Sequence, residues 1–270
     1  MNQSPKISVL MPAYNAEKYI GDAIESILNQ SFTDFEFIII DDCSTDCTWE
    51  IIQEYAKKDE RIVSVKNNEN LKISKTLNRG IRLAKGKYIA RMDADDWSYP
   101  DRLQKQIKYM DSNPQVGISG GSMEVCDNNL KKISSRTYNL KDEEIRKNIF
   151  RYSPFSHPLV IYRSDIIKNI NYNTYLYDAE DYDLYFRIGL EGKFGNIKDN
   201  LLKLRVNSQS VSQTNASRQE KLTLFIRLKA IIEYAYKPTL IDIAYSLLQY
   251  ISTFLIPNKI KFWIFNYLRK

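Results

Sequence analysis

Asp93-Ala94-Asp95-Asp96 sets three carboxylates in four positions, just after the apolar run Tyr88-Ile89-Ala90 and just before Trp97 and Pro100. A buried strand should give way to a loop here. Crowded carboxylates at a core edge repel one another and lose hydration unless a cation or polar ligand compensates them. Mg²⁺ and Mn²⁺ take oxygen ligands, commonly one or two carboxylates plus the phosphates of a substrate, so a metal-diphosphate site is one reading. An acidic surface turn, with Asp96 capping a helix near Pro100, is the other. A second turn of the same grammar favours the site. Phe35-Glu-Phe-Ile-Ile-Ile40 ends in Asp41-Asp42, followed by Ser44, Thr45 and Asp46 ahead of a helical pattern. In open α/β sheets ligands bind at the carboxyl ends of strands, so two such ends point to one crevice. Asp41 suits hydrogen bonds to a base or ribose, and Asp46 suits a helix cap.

The elements that must position these acids follow from periodicity. Residues 6 to 11 read as a first buried strand ending at Pro12-Ala-Tyr14-Asn15, with a helix after it carrying Ile20, Ala23, Ile24, Ile27 and Leu28 on one face. Phe35 to Ile40 is the second strand, and its helix carries Trp49, Ile52 and Tyr55. Residues 61 to 66 form the third; Ser74, Leu77, Ile81 and Ala84 mark a helix that Gly86 ends, and a fourth strand delivers Asp93. This alternation predicts βαβ units and a mainly parallel sheet flanked by helices. After residue 112 the pieces are shorter: apolar stretches near 116 to 126 and 157 to 162, and helical patterns at 142 to 150, 164 to 170 and 180 to 190. A nucleotide-binding half over about 1 to 112 and an acceptor half over about 113 to 216 are expected.

Other chemistries fit less well. Gly80 to Gly86 has five intervening residues where a phosphate loop has four, and Tyr88 stands where the metal-binding hydroxyl would be. No G-x-G-x-x-G follows a strand, against a dinucleotide dehydrogenase. Gly117-Ile-Ser119-Gly-Gly121 matches a nucleophile elbow, but Met123-Glu-Val-Cys126 after it is strand-like where a helix is needed. His157 is the one histidine of the chain, which excludes a His-rich zinc site. Cys43, Cys47 and Cys126 are odd in number and form no C-x-x-C pair, as suits a reducing compartment. The first residues lack the basic-then-apolar pattern of a signal peptide, so a cytosolic chain is expected.

Taken together, the residues from Ile7 to about Ser212 resemble the family 2 glycosyltransferases, which have the GT-A fold. The resemblance is carried in order by Ser8-Val-Leu-Met-Pro12-Ala-Tyr-Asn15, Ile40-Asp41-Asp42-Cys-Ser44-Thr-Asp46, Leu77-Asn78-Arg79-Gly80-Ile81, Ala90-Arg-Met-Asp93-Ala-Asp95-Asp96, Glu180-Asp181-Tyr-Asp183-Leu and Arg205-Val. It implies that Asp41 contacts a uracil base beside the turn from Pro12 through Tyr14 to Asn15, that Asp93 lies near the ribose, and that Asp95, in the D-x-D motif, binds Mn²⁺ or Mg²⁺ on the diphosphate. Asp181 resembles the general base of an inverting transfer, with Glu180 bonding to backbone or acceptor. Arg205 would reach the nucleotide, and Arg79 with Lys75 its phosphate, the alternative for this pair being surface charges of a helix, while Asp183 is expected to be solvated. An alternative reading makes Glu180-Asp181 an acid-rich helix N-terminus capped by Asp178 or Asp181. Leu71 stands where the family often has glycine and Asn207 where many members have histidine, which leaves a third protein ligand to the metal unassigned. The tryptophans follow Thr48, Asp96 and Phe262, so there is no Q-x-x-R-W, and the resemblance implies addition of one sugar.

The net charge is +6, and residues 217 to 270 hold nine Lys/Arg and three Asp/Glu, leaving thirty of each in the rest. The whole excess belongs to a helical appendage. Asp242, Ser246, Gln249 and Thr253 form one stripe of an otherwise apolar helix, and Lys259 to Lys270 mixes four cations with four aromatics. The uncharged run from Ile243 to Asn258 is shorter than the ~20 residues a bilayer span needs. It suits an anionic membrane surface, or else a helix packed on the catalytic unit or at a dimer contact; no nucleic-acid-binding module accompanies it. The expected function is transfer of one sugar from a nucleotide sugar, UDP-linked, to a glycan or lipid-linked glycan acceptor at the cytosolic membrane face. A nucleotidyltransferase and a non-catalytic partner subunit are the alternatives.

Overall fold

The computed structural model describes residues 4–206 and 216–255. Its first half is a βα repeat: β1 (Ile7–Ala13), α1 (Ile20–Leu28), β2 (Phe35–Asp41), α2 (Thr48–Ala56), β3 (Ile62–Lys66), α3 (Lys72–Leu83) and β4 (Tyr88–Arg91). These four strands run parallel in the order β3-β2-β1-β4. Val9, Met11, Phe37 and Ile39 face α1, α2 and α4 (Arg102–Ser112), whereas Leu10, Ile38 and Ile40 face α3 and helices of the second half. Both faces are covered, so β1 and β2 read as continuous apolar runs. α3 ends at Leu83, ahead of Gly86. The glycine is needed for a close approach instead: a Cβ there would lie 2.4 Å from the Ser8 amide nitrogen of β1.

The second half extends the same sheet: β5 (Trp97–Ser98), β6 (Val116–Cys126), β7 (Lys132–Arg136), α5 (Asp142–Asn148), a 3₁₀ turn (His157–Leu159), β8 (Ile161–Arg163), α6 (Ser164–Ile170), α7 (Glu180–Glu191) and β9 (Lys193–Arg205). Beyond β4 the order is β8-β6-β9-β5, with β7 paired to β6. β6 and β9 are parallel, while β8, β5 and β7 join antiparallel. The long β9 was not among the expected strands, because Gly195, Asn196 and Asn200 interrupt its apolar pattern and its register slips beside Gly121 and Ser122. Of the stretch 157 to 162, only its end is strand; Pro158 supports a 3₁₀ turn there.

Two further helices, α8 (Ala216–Ile232) and α9 (Leu240–Leu255), follow. Ile226 and Ala230 of α8 join the core around Tyr182 and Phe186 of α7. Asp183 is fully buried rather than solvated: its carboxylate accepts from Arg187 Nε (2.8 Å), Lys229 Nζ (3.2 Å) and Tyr234 Oη (3.1 Å). The last two come from α8 and the residues after it, so long-range packing decides this side chain's surroundings.

Candidate active site

The carboxyl ends of β1, β2 and β4 lie on one edge of the sheet and carry the expected turns. Asn15, with φ of 48°, and Cys43, with φ of 63°, bend the chain out of β1 and β2. The two turns are laced together. Asn15 N–H donates to Ser44 Oγ (3.0 Å), Thr45 N–H to Asn15 Oδ1 (2.9 Å) and Ala16 N–H to Thr48 Oγ1 (2.7 Å). Asp46 accepts the Thr48 amide at the start of α2 (3.0 Å) and the Glu17 amide (3.1 Å). Burial works against its charge, but these bonds and the Thr48 hydroxyl hold its pKa below the ordinary value. Tyr14 is half exposed beside the crevice and Pro12 is buried within β1. Asp41 is buried, with the Ser44 amide at 3.2 Å and Lys66 Nζ at 3.8 Å. Asp42 accepts from Asn67 Nδ2 (2.6 Å) and the Leu71 amide (2.9 Å), which ties the turn after β3 to the same edge. Arg79 donates to the Lys66 carbonyl (3.0 Å) and the Asn67 side chain, so it braces this turn.

At β4 the ladder runs on to Met92, whose N–H reaches the Leu10 carbonyl (3.0 Å), and the acids follow. One carboxylate oxygen each from Asp93, Asp95 and Asp96 lies within 4.8 Å of the others. Asp96 is not a helix cap: it is buried and accepts the Arg205 N–H (2.9 Å), and its other oxygen has no protein partner. Burial and then the charge of Asp93 push the Asp95 carboxyl up to about 6. Burial, Asp95 and Asp93 push Asp96 well above the ordinary range. Such crowded carboxylates suit a hard divalent cation. Arg205 brings its backbone to the cluster, while its guanidinium meets Asp22 (3.1 Å), the Asn128 carbonyl (3.0 Å) and the face of Tyr19 (4.1 Å from the ring centre). Asn207 lies outside the described residues.

Arg91 links this cluster to the second group of acids. Its guanidinium is buried, bonds Asp93 at 2.5 Å, and has no protein partner at Nε and Nη1. Burial opposes its charge, but Asp93 together with Tyr172 and Tyr162 outweighs it and the guanidinium stays charged. Its field also acts on Asp95, Asp96, Glu180 and Asp181, lowering the pKa of each. The fully buried Arg102 holds Arg91 in place by donating to its carbonyl (2.5 Å) and to that of Pro158 (3.3 Å). Glu180 and Asp181 occupy the first turn of α7, where helix polarity favours acids. No side chain caps this helix; Asp181 accepts the Tyr182 amide (2.8 Å). Burial and then Asp181 raise Glu180 to about 7, and burial raises Asp181.

His157 stands between the groups. Its Nδ1 lies 3.9 Å from Glu180 and its Nε2 bonds the Tyr172 hydroxyl (2.7 Å), while burial and Arg91 keep the ring neutral. Asn78 fixes Tyr172 through both backbone groups (2.8 and 2.9 Å). Arg91, His157 and Tyr172 received no role from sequence reasoning. The position of Arg91, two residues before Asp93, was the available signal; nothing local marked the other two.

The profile of glycosyl transferase family 2 matches residues 8–173, and the chain belongs to this family. It is a glycosyltransferase. Among the relatives, an uncharacterized glycosyltransferase of Methanocaldococcus jannaschii is 38% identical over 83% of this chain and 79% of its own. The O-antigen biosynthesis glycosyltransferase WbnJ of Escherichia coli is 32% identical, over 82% and 87%. Two solved structures share the fold. TarS of S. aureus, in complex with UDP, has a TM-score of 0.69 and 22% identity over 94% of this chain and 73% of that one. The mannosyltransferase PcManGT of Pyrobaculum calidifontis, in complex with GDP-Man and Mn²⁺, has a TM-score of 0.67 and 18% identity over 94% and 71%.

Proposed function

We propose that this chain is a metal-dependent, inverting, non-processive glycosyltransferase that moves one sugar from a nucleotide sugar, UDP-linked, to a hydroxyl of a surface glycan or lipid-linked glycan. The observation that carries this is Arg91, whose buried guanidinium bonds Asp93 (2.5 Å) and whose N–H reaches the Val160 carbonyl (2.9 Å), beside the turn whose His157 lies 3.9 Å from Glu180. One crevice thus has a negatively charged end suited to a metal and diphosphate and a second carboxylate suited to proton transfer. Asp41 receives the base beside Pro12, Tyr14 and Asn15, and Asp93 the ribose. Arg79 and Arg205 shape the nucleotide pocket through the turn after β3 and through Asp96. Asp95 would hold Mn²⁺ or Mg²⁺, which when bound offsets the charge of the diphosphate.

Asp181 acts as general base. The acceptor oxygen forms its bond to the anomeric carbon from the face opposite the leaving group, the bond from that carbon to the phosphate oxygen breaks, and the hydroxyl proton passes to Asp181. The nucleoside diphosphate leaves with the electron pair. No second acid is required, unlike the carboxylate pair of a glycoside hydrolase. Glu180, beside neutral His157, orients the acceptor. The raised pKa of Asp181 makes it a better proton acceptor than an ordinary aspartate.

The name of the O-antigen relative supports a role in surface polysaccharide synthesis, and the UDP and GDP-Man complexes of the fold neighbours support a nucleotide-sugar donor. We place the enzyme on the cytosolic membrane face, held by the basic, aromatic segment 259 to 270, which lies outside the described residues. The test is a panel of nucleotide sugars incubated with the enzyme, an acceptor glycan extract and Mn²⁺. Release of a nucleoside diphosphate with a product of inverted anomeric configuration is expected. Release of pyrophosphate, retention of configuration, or full turnover in excess EDTA would contradict the reading.

A further inference from the structure

Helix α9 is folded with its polarity reversed. Asp242 is buried against Arg151 (2.8 Å), and Gln249 and Ser246 receive Arg227 Nη1 (2.8 and 3.3 Å), so the polar stripe faces the protein. Its apolar residues face outward, with Ile241 66% exposed and Leu248 67%, alongside Leu247 and Ile251. Leu228 and Ile232 of α8, the helix that Arg227 joins to α9, are also turned outward, Ile232 being 71% exposed. A helix on a water-soluble surface shows the opposite arrangement, and so many large apolar side chains exposed on two packed helices mark an interaction surface.

We propose that the outward face of α8 and α9 inserts into the headgroup region of an anionic lipid bilayer. The inference rests on the membrane location given above and names a different contact, apolar insertion by the helix pair in place of charge attraction by the terminal segment. Charge complementarity selects the lipid. Exposed Lys221 lies on the same stripe of α8 as Leu228 and Ile232, and exposed Lys237 lies in the connection to α9. Of the three acids in α8, α9 and their connection, Asp242 faces inward, Glu220 is half-buried and Glu233 meets Lys229 (3.8 Å). Two copies joined through this face would bring basic rims together, whereas an anionic leaflet complements them. Among the described residues no helix is long and apolar enough to cross a membrane, which fits lying in the interface.

The full chain would be sedimented with phosphatidylglycerol-containing and with pure phosphatidylcholine vesicles, at low and high salt. One variant carries Ile241→Gln, Leu247→Gln and Leu248→Gln; a second carries Leu228→Gln and Ile232→Gln; a third replaces Lys259, Lys261, Arg269 and Lys270 by Gln. Because the substituted apolar residues are exposed, thermal unfolding of the first two variants should match wild type. Each should bind anionic vesicles on the order of tenfold more weakly, with the loss persisting at high salt, as expected when apolar contact is removed. Wild-type binding lost only in the third variant would overturn this inference and leave the membrane location standing. No wild-type binding to any vesicle would overturn both. A wild-type dimer that the first variant turns into monomer, with vesicle binding unchanged, would make a second copy the occupant and overturn the proposal.

Discussion

Asp95 bears two opposed demands. In the metal-free protein its charge is held beside Asp93 and Asp96 in a partly dehydrated place, and its carboxyl is pushed up to about 6. With a divalent cation bound, the same charge is neutralised. Asp95→Asn should therefore abolish metal-dependent donor binding in calorimetry, yet make the metal-free protein more stable in urea by roughly 1–3 kcal/mol, since a shift of one pKa unit corresponds to about 1.4 kcal/mol. A variant that bound donor and Mn²⁺ normally would remove Asp95 from the metal assignment. Arg91 gives a second test at this scale. Because its charge lowers the pKa of Glu180 and Asp181, Arg91→Met should move the acid limb of the kcat/KM profile to higher pH. An unmoved limb would show that the guanidinium does not govern the acids that titrate in catalysis.

Helices and strands place these residues, and how far each could be read depended on where its determinants lie. The βα rhythm through residue 92 was legible because buried parallel strands leave apolar runs that end abruptly in the acids of the two turns. β9 was not, since its pairing with β6 tolerates Gly195, Asn196 and Asn200 through register shifts. The acidic turns were legible in the candidate site, whereas Arg91 and His157 gain their surroundings only when the 3₁₀ turn at His157–Leu159 and the start of α7 meet β4. Asp183 shows the same limit, since its partners Lys229 and Tyr234 lie about fifty residues downstream. At this scale, Asp183→Ala should destabilise the fold by roughly 3–5 kcal/mol, because it leaves the cations of Arg187 and Lys229 without their buried partner. Urea unfolding gives the number, and a loss below about 0.5 kcal/mol, the usual range for a surface change, would show that the packing of α8 on α7 does not depend on this ion pair.

Across the whole molecule the raised carboxyls predict the pH response of the metal-free protein. The Asp95 and Glu180 carboxyls are pushed up to about 6 and about 7, above their ordinary 3.8 and 4.5, so between these limits the folded state binds more protons than the unfolded one. Their contribution to stability therefore rises as pH falls from about 8 toward 6.5 and is lost as pH rises; below 6.5 His157, kept neutral in the fold, takes its proton only on unfolding and opposes the trend. Thermal unfolding in EDTA should show that trend for wild type and a weaker one for Asp95→Asn. Excess Mn²⁺ should reverse it, because protonation then competes with the metal. A melting temperature flat from pH 6.5 to 8 in EDTA would contradict the charge balance described for the site.

If donor binding and proton transfer belong to separate acids joined through Arg91, as proposed, Asp181→Asn should part the two. Its role arises only as the acceptor hydroxyl loses its proton, so an amide there should leave donor affinity near that of wild type while removing transfer. Donor binding in the presence of Mn²⁺ and the rate of sugar transfer would be measured on the same preparation. The account predicts donor affinity within about twofold of wild type and a transfer rate reduced by at least ~100-fold, the lower end of what a positioned general base contributes. A variant that kept more than about a tenth of the wild-type rate, equivalent to only ~1.4 kcal/mol of barrier, would contradict it.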